Sequence, residues 1–264
     1  MSWDATLLAM EVIALQSGSN GNCIYVETGG VKLLFDAGIS GVQAEQRLAS
    51  HGKSIRDVNA LLISHDHSDH TRCMGVYHRK FGLPIHVSRG TIRAINNKPR
   101  LGPMQNIQLF DSGSTMVFGS VKIETIRTPH DAADGVAFVV DDGSHRLGIL
   151  TDLGHVFDGL DGVVESLDAV IMESNYDPMM LDTGPYPESL KKRISGPKGH
   201  LSNNDSAGLL KRIKNAKLQW ACLAHLSEHN NDPELVLDTH RSALGKQFPI
   251  LVADRYGATE VLSV

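Results

Sequence analysis

The sequence predicts an α/β fold in which two β-sheets pack face to face and helices cover both outer faces, a four-layer αββα sandwich. Three observations predict it. Short apolar runs bounded by glycine-rich turns recur along the chain, they fall into two sets with helical segments between and after them, and Ala60-Leu61-Leu62-Ile63 is apolar without alternation. A run of that last kind is expected for a strand covered on both faces.

The elements follow in order. Strands are expected at Leu7–Leu15, Cys23–Glu27 and Val31–Phe35, punctuated by Gly18, Gly21 and the Gly29-Gly30 pair. A helix fits Val42–His51, and the buried strand Ala60–Ile63 follows. The β-rich middle supplies Ile85–Val87, Thr115–Phe118, Val121–Ile126, Val136–Val140 and Leu147–Leu150. Alternation then returns: strand Ala169–Met172, helix Ser202 to about Lys214, strand Leu218–Leu223, helix Pro233–Leu244, strand Ile250–Val252. No internal repeat or linker interrupts this, so one domain spanning residues 1–264 is expected.

With 41% apolar and 21% charged residues the composition is that of a soluble globular protein, and no stretch approaches a membrane span. Met1-Ser2-Trp3-Asp4 lacks a basic region and Glu11 interrupts the first apolar run, which argues against a signal peptide and for a cytoplasmic location. Cys23, Cys73 and Cys222 are far apart, without metal or disulfide spacing, and are expected to act as small core hydrophobes.

The net charge of −5 disfavours a nucleic-acid partner, yet Leu190–Lys217 carries eight basic residues against the single acid Asp205. That segment reads either as a solvated helix face or as a surface that tracks phosphates.

The strongest chemical signal is His65-Asp66-His67-Ser68-Asp69-His70, immediately after the buried strand. Three imidazoles and a carboxylate on one loop suit Zn²⁺, Mn²⁺ or Fe. One loop cannot complete two coordination spheres. His130, Asp152 and His225 each stand where a strand delivers its last side chain to a sheet rim, and so fit as further ligands.

With these residues in that order the chain resembles the metallo-β-lactamase superfamily, and Phe35-Asp36-Ala37-Gly38 is similar to its first motif, in which the aspartate supports the metal loop. The resemblance implies two divalent cations, one held by His65, His67 and His130, the other by Asp69, His70 and His225, with Asp152 bridging. Asp152 stands where antibiotic-cleaving members commonly use cysteine or histidine, and His67 where the di-iron members carry glutamate. Neither the large insertion of the β-CASP nucleases nor the arm of tRNase Z has a counterpart.

Gln16–Asn22, Pro129–Asp134, Met172–Asn175, Gly199–Asn203 and His225–Asn231 are similar to the YycJ/WalJ-like branch. That similarity implies a 5′ to 3′ exonuclease acting on DNA more readily than RNA, with a hydroxide bridging the two metals as nucleophile. Asp69 would then belong to the catalytic set, His200 would protonate the leaving oxygen or stabilise charge, and Glu173 would orient His200 or a ligand histidine through its ring N–H. His200 also reads as a helix-terminal residue beside the Ser202 cap.

Ser17, Ser19, Asn20 and Asn22 read either as a hairpin turn or as a phosphate cradle, and Lys198, Ser202 and Asn203 as further substrate contacts. Two rival functions remain: a small-molecule hydrolase acting on a thioester, lactone or cyclic phosphodiester, and a metal-stabilised binding protein without turnover. No feature of the sequence selects the metal or the oligomeric state.

Overall fold

The computed structural model describes residues 9–96, 101–213 and 217–264. Strands β1 (Glu11–Gln16), β2 (Cys23–Thr28) and β3 (Val31–Phe35) form an antiparallel meander. Helix α1 (Gly41–Ser50) leads to β4 (Ala60–Ile63), then α2 (Ser68–Thr71), α3 (Met74–Phe81), β5 (Ile85–Ser88), α4 (Arg89–Asn96) and β6 (Ile107–Phe110). From β3 to β6 successive strands are parallel neighbours, as crossover connections require.

A second meander, β7 (Thr115–Phe118), β8 (Val121–Arg127), β9 (Val136–Asp141) and β10 (Arg146–Leu150), opens the other sheet. It is extended in parallel by β11 (Ala169–Glu173), β12 (Trp220–Ala224) and β13 (Ile250–Val252). Between these strands run α5 (Leu160–Glu165), α6 (Pro178–Thr183), α7 (Glu188–Ile194), α8 (Asn203–Ile213) and α9 (Pro233–Leu244). Strand β14 (Leu262–Ser263) returns to pair with β1. Each sheet has seven strands, ordered β14-β1-β2-β3-β4-β5-β6 and β13-β12-β11-β10-β9-β8-β7.

Alternation along each strand divides the core into layers. Val12, Ile24, Leu33, Phe35 and Leu62 face Ile123, Phe138, Ile149, Ile171 and Cys222 across the seam. Phe35 and Phe138 meet there with ring centroids 5.1 Å apart, an aromatic pair worth about 0.5–1.5 kcal/mol beyond its burial. Intervening residues point outward: Tyr25, Leu34, Leu61 and Ile63 pack under Leu48, Tyr77 and Ile92, while Val139, Val170 and Met172 pack under Leu160, Val164 and Leu209. Helices therefore cover both outer faces, as expected.

Helix ends follow local chemistry. Ser40 and Gln43 form a reciprocal capping box, so α1 begins one residue before the expected Val42. Asp232 accepts from the amides of Glu234 and Leu235 ahead of Pro233, which starts α9 at the expected residue.

Other elements differ from expectation. The first strand begins at Glu11, and Leu7 and Leu8 lie outside the described residues, as does the Met1–Asp4 segment. Strand β12 begins at Trp220 and the α8 helix at Asn203; Lys214 is outside the described residues. Helices α2 to α7 and strands β6 and β14 were not expected, because segments of two to eight residues carry too few turns for a periodicity to emerge. Cys23 and Cys222 are core residues, whereas Cys73 is only half-buried. Among the described residues no helix is long and apolar enough to cross a membrane.

The topology brings the chemistry to one rim. Strands β1, β3 and β4 run the same way in the first sheet, as do β8, β10, β11 and β12 in the second, so within each sheet their carboxyl ends open on one edge. Residues just beyond those ends are where open α/β sheets gather ligand-binding side chains.

Candidate metal centre and its cleft

Each expected metal ligand follows one of those strand ends: His65–His70 follows β4, His130 follows β8, Asp152 follows β10 and His225 follows β12. Three residues beside these ends adopt left-handed backbone conformations without being glycine: Asp36 (φ 65°), Asp152 (φ 57°) and His225 (φ 58°). Such conformations are sparsely populated and persist only where surrounding contacts hold them, commonly at functional sites. The loops are also in close register. A Cβ on Gly38 would lie 1.6 Å from the Asp69 carbonyl oxygen, so only glycine lets the segment after β3 pass beside the histidine loop.

The hydrogen bonds fix which imidazole nitrogen faces the centre. His70 Nδ1 donates to Asp36 Oδ2 at 2.7 Å, and His130 Nδ1 donates to the Gly199 carbonyl at 2.8 Å, since carboxylate and carbonyl only accept. Ser64 Oγ gives its single proton to Asp36 and so accepts from His65 Nδ1 at 2.9 Å. In all three rings Nδ1 is thereby occupied and Nε2 is the nitrogen turned inward. Asp36 also accepts from the Ser64 amide at 2.8 Å, which joins β3 to the start of the metal loop.

The ligand atoms converge in overlapping groups, each within 4.8 Å: His65, His67 and His130; Asp69, His70 and His225; and Asp152 with His65 and His70. Asp152 touches both sides, with Oδ1 3.6 Å from His130 Nε2 and 3.7 Å from His225 Nε2, and Oδ2 3.3 Å from His70 Nε2. Glu173 clusters with Asp152, His200 and His225 as well, but its oxygens are committed: Oε2 accepts from the amides of Leu153 (3.0 Å) and Leu201 (3.2 Å), and Oε1 from His200 Nδ1 (2.7 Å). It organises the rim between β10 and α8.

The donor set fits divalent cations. His65 Nε2 and Asp152 Oδ2 are buried and have no hydrogen-bond partner, an arrangement that costs free energy unless a cation is shared between them. The electrostatics agree. Burial pushes the Asp152 and Asp69 carboxyls up, but neighbouring imidazoles, chiefly His225 and His70, more than offset this and hold both well below the usual carboxylate range. Burial likewise opposes protonation of His225, yet Asp152 and Asp69 push its pKa up to about 10. Burial opposes protonation of His70 too, but Asp36 and Asp152 push it up, whereas burial pushes His65 and His130 down; carboxylates beside imidazoles kept neutral are a setting that accommodates a cation.

The ligands open into a cleft of about 220 Å³ onto which Ser19, His67, Asp69, Asp152, His200 and His225 face. Tyr186, Leu190, Arg193 and Ile194, contributed by α7 and the turn before it, form the opposite wall. Arg193 Nε pairs with Asp131 Oδ2 at 2.6 Å, and Asp131 Oδ1 approaches His67 Nε2 at 3.5 Å.

The seven residues expected as metal ligands, together with Asp36, Glu173 and His200, are thus brought together, and Ser19 is exposed on the cleft. The other expected substrate contacts are placed differently. Ser17 and Asn22 are buried: Ser17 Oγ accepts from the His225 amide, and Asn22 ties Gly18 to Asp69 and His70. Ser202 caps α8 with its hydroxyl on Asp205, and Asn203 is enclosed by Ser174 and Asn231. Asn20 is bonded to Arg255, and Lys198 is exposed outside the cleft lining.

Ser64, Asp131, Asn175, Tyr186, Arg193 and Ser227 were not singled out as site residues from sequence. Ser64 adjoins the histidine loop, Asp131, Asn175 and Ser227 lie within the motifs quoted for the YycJ/WalJ-like branch, and Arg193 belongs to the basic segment, whereas Tyr186 carries no such signal.

The sequence profile described as the metallo-beta-lactamase superfamily matches residues 17–225, from the loop after β1 to the last ligand. The chain belongs to the metallo-beta-lactamase superfamily. Two curated superfamily relatives are similar over most of its length. Exodeoxyribonuclease YycJ from Bacillus anthracis is 34% identical over 261 residues, covering 96% of this chain and 99% of the relative. Exodeoxyribonuclease WalJ from Streptococcus pneumoniae is 40% identical over 225 residues, covering 84% and 83%. Among solved structures, the metallo-beta-lactamase fold protein YhfI from Bacillus subtilis superposes with a TM-score of 0.74 at 16% identity, covering 97% of this chain and 100% of that one. Zn²⁺-bound PqqB from Methylobacterium extorquens gives 0.72 at 16% identity, covering 95% and 100%. These two likenesses establish the fold.

Proposed function

We propose that this superfamily member is a metal-dependent exodeoxyribonuclease, with residues 1–264 working as one domain in the cytoplasm and two divalent cations at its centre. The observation that carries this reading is Asp152, one buried carboxylate placed between two groups of inward-facing ligands and opening on a cleft that also holds His200. Similarity to the two exodeoxyribonucleases over more than four-fifths of the chain supports DNA as the substrate.

Under this assignment His65, His67 and His130 would hold one cation, Asp69, His70 and His225 the other, and Asp152 would serve both. Such a pair supplies an activated water at neutral pH and neutralises charge on the phosphoryl oxygens. The chain's own residues do the rest. Asp36 and Gly199 hold the ligand rings in their inward orientation. His200 gives Nδ1–H to Glu173 and faces the cleft, so its Nε2 is the nitrogen presented to substrate; the imidazolium form would hand its Nε2 proton to the departing oxygen and return to the Nδ1–H tautomer. Burial alone would raise the Glu173 carboxyl, but the imidazole of His200 offsets this and brings it to about 2, so the orienting group stays anionic. Arg193, on the facing wall, is positioned to attract a phosphodiester into the cleft.

The test is digestion of end-labelled, 5′-phosphorylated duplex DNA by protein reconstituted with Zn²⁺, Mn²⁺ or Fe²⁺, beside hydroxyacyl-glutathione and bis-p-nitrophenyl phosphate. Stepwise metal-dependent release of nucleotides from the 5′ end is expected. Turnover of the thioester with none of either phosphodiester would replace the nuclease reading with that of a small-molecule hydrolase.

A further inference from the structure

A second cavity, of about 500 Å³, adjoins the metal cleft, and Ser227 lines both. Its volume lies within the range of small-molecule pockets. Its walls come from the segments after β12 and β13. Leu226, Pro233 and Val252 make it apolar, and Tyr256 stands over it with 64% of its surface exposed. The Tyr256 ring is held in place: its hydroxyl donates to Glu228 Oε1 at 3.0 Å, and its amide donates to Asp254 Oδ1 at 2.6 Å.

The charges decide what such a cavity takes. Glu228 and Asp254 place carboxylates on it. The cation that lines it, Arg255, is engaged with the Leu226 carbonyl, with Asn20 Oδ1 at 3.3 Å and with Glu228 at 3.9 Å. A phosphate would therefore meet net repulsion here, whereas in the neighbouring cleft it would meet the cations that the ligand set is proposed to hold. A flat, neutral group bearing N–H donors meets an exposed aromatic face, apolar walls and carboxylate acceptors. Arg255 also ties this cavity to the loop that presents Ser19 to the cleft, so the two compartments are held at a fixed spacing.

We propose that the cavity beside the metal cleft is a nucleobase subsite, in which Tyr256 stacks an unstacked base of the nucleotide next to the phosphodiester bound in the cleft. This rests on the nuclease reading and adds to it where the strand runs and which residue grips it. Stacking on one aromatic ring is sequence-tolerant, because every base presents a π-face. Tyr256 is thus a positioning residue that acts on substrate capture.

The experiment compares wild type, Tyr256→Ala and Tyr256→Phe on 5′-phosphorylated DNA. An abasic residue is placed in turn at each of the first three nucleotides, and a parallel set carries 2-aminopurine at the same places. On intact DNA Tyr256→Ala is expected to raise KM at least about fivefold with a much smaller change in kcat, and Tyr256→Phe to restore most of the loss, since it keeps the ring. At one abasic position the KM values of wild type and Tyr256→Ala converge. At that same position 2-aminopurine fluorescence is quenched on binding to wild type and not to Tyr256→Ala.

Equal KM for wild type and Tyr256→Ala on intact DNA, or an equal loss at every abasic position, would overturn the subsite. The quenching is read at equilibrium without turnover. A protein that cleaves no phosphodiester therefore sinks the nuclease reading, while quenching by wild type alone still upholds the base subsite and equal signals from both proteins still remove it.

Discussion

Asp36 shows how a single side chain can govern the centre without entering it. It accepts from the Ser64 amide, the Ser64 hydroxyl and His70 Nδ1, and these bonds decide which nitrogen His65 and His70 turn inward. Asp36→Asn keeps the shape but presents an amide to His70, so metal affinity is expected to fall by about 10- to 100-fold, measured by titration with a competing chelator. Asp152→Ala removes the carboxylate facing both ligand groups and should lose metal and turnover together. Full metal content with wild-type turnover, read by elemental analysis and a phosphodiester assay, would end the shared-ligand assignment. His200→Ala separates the two properties: metal content is retained while turnover falls by about a hundredfold or more. A variant that cleaves at the wild-type rate would make His200 a helix-terminal residue and nothing else.

At the level of elements, α8 and α9 pack through a buried polar contact independent of the metal ligands. His240 on α9 donates Nδ1–H to the Val236 carbonyl at 2.9 Å and meets Ser206 Oγ on α8 at 3.2 Å. Burial pushes its pKa down from 6.5 to about 4, against a small opposing effect of the Val236 carbonyl. Between these values the unfolded chain binds the proton and the folded one does not. Stability is therefore whole above about pH 6.5 and declines as pH falls towards about 4. The loss from His240 between about pH 8 and about pH 5 amounts to about 2 kcal/mol. Urea unfolding of wild type and His240→Gln at both pH values isolates it, and equal pH dependence of the two proteins would remove His240 as the cause.

Across the whole molecule, the basic segment Leu190–Lys217 is divided by the fold. Lys191, Lys192 and Arg193 lie on α7, which walls the cleft, with Lys198 in the turn beyond. Lys211 and Arg212 sit at the far end of α8, roughly 15 Å along the helix from the Ser202 cap. There Arg212 pairs with Asp161 at 3.0 Å and Lys217 with Asp168 at 3.0 Å. Lys192→Glu with Lys198→Glu should weaken DNA binding and flatten the slope of log K against log salt by about one for each phosphate no longer neutralised. Lys211→Glu with Arg212→Glu should leave that slope close to wild type. The opposite ranking would move the nucleic-acid track to the far end of α8.

The amino-acid sequence by itself determined the sandwich, most of the long elements and the seven candidate ligands. Each depends on local properties: an apolar run, a turn, or a histidine or aspartate just past a strand end. What the tertiary structure decided is how those ends combine. The bonds from Asp36 to His70, Glu173 to His200 and Ser17 to His225 join residues 34, 27 and 208 positions apart. Parallel pairing of β3 with β4 brings the first pair together, the return of the chain past the end of β11 into α8 brings the second, and the stacking of the two sheets brings Ser17 beside His225. The same packing buried Ser17, Asn22, Ser202 and Asn203 as supports and left Ser19 on the cleft. It also set a seven-residue helix as the facing wall. Polar residues of one kind look alike in a string, and their roles separate once burial settles which of them must find partners inside the protein.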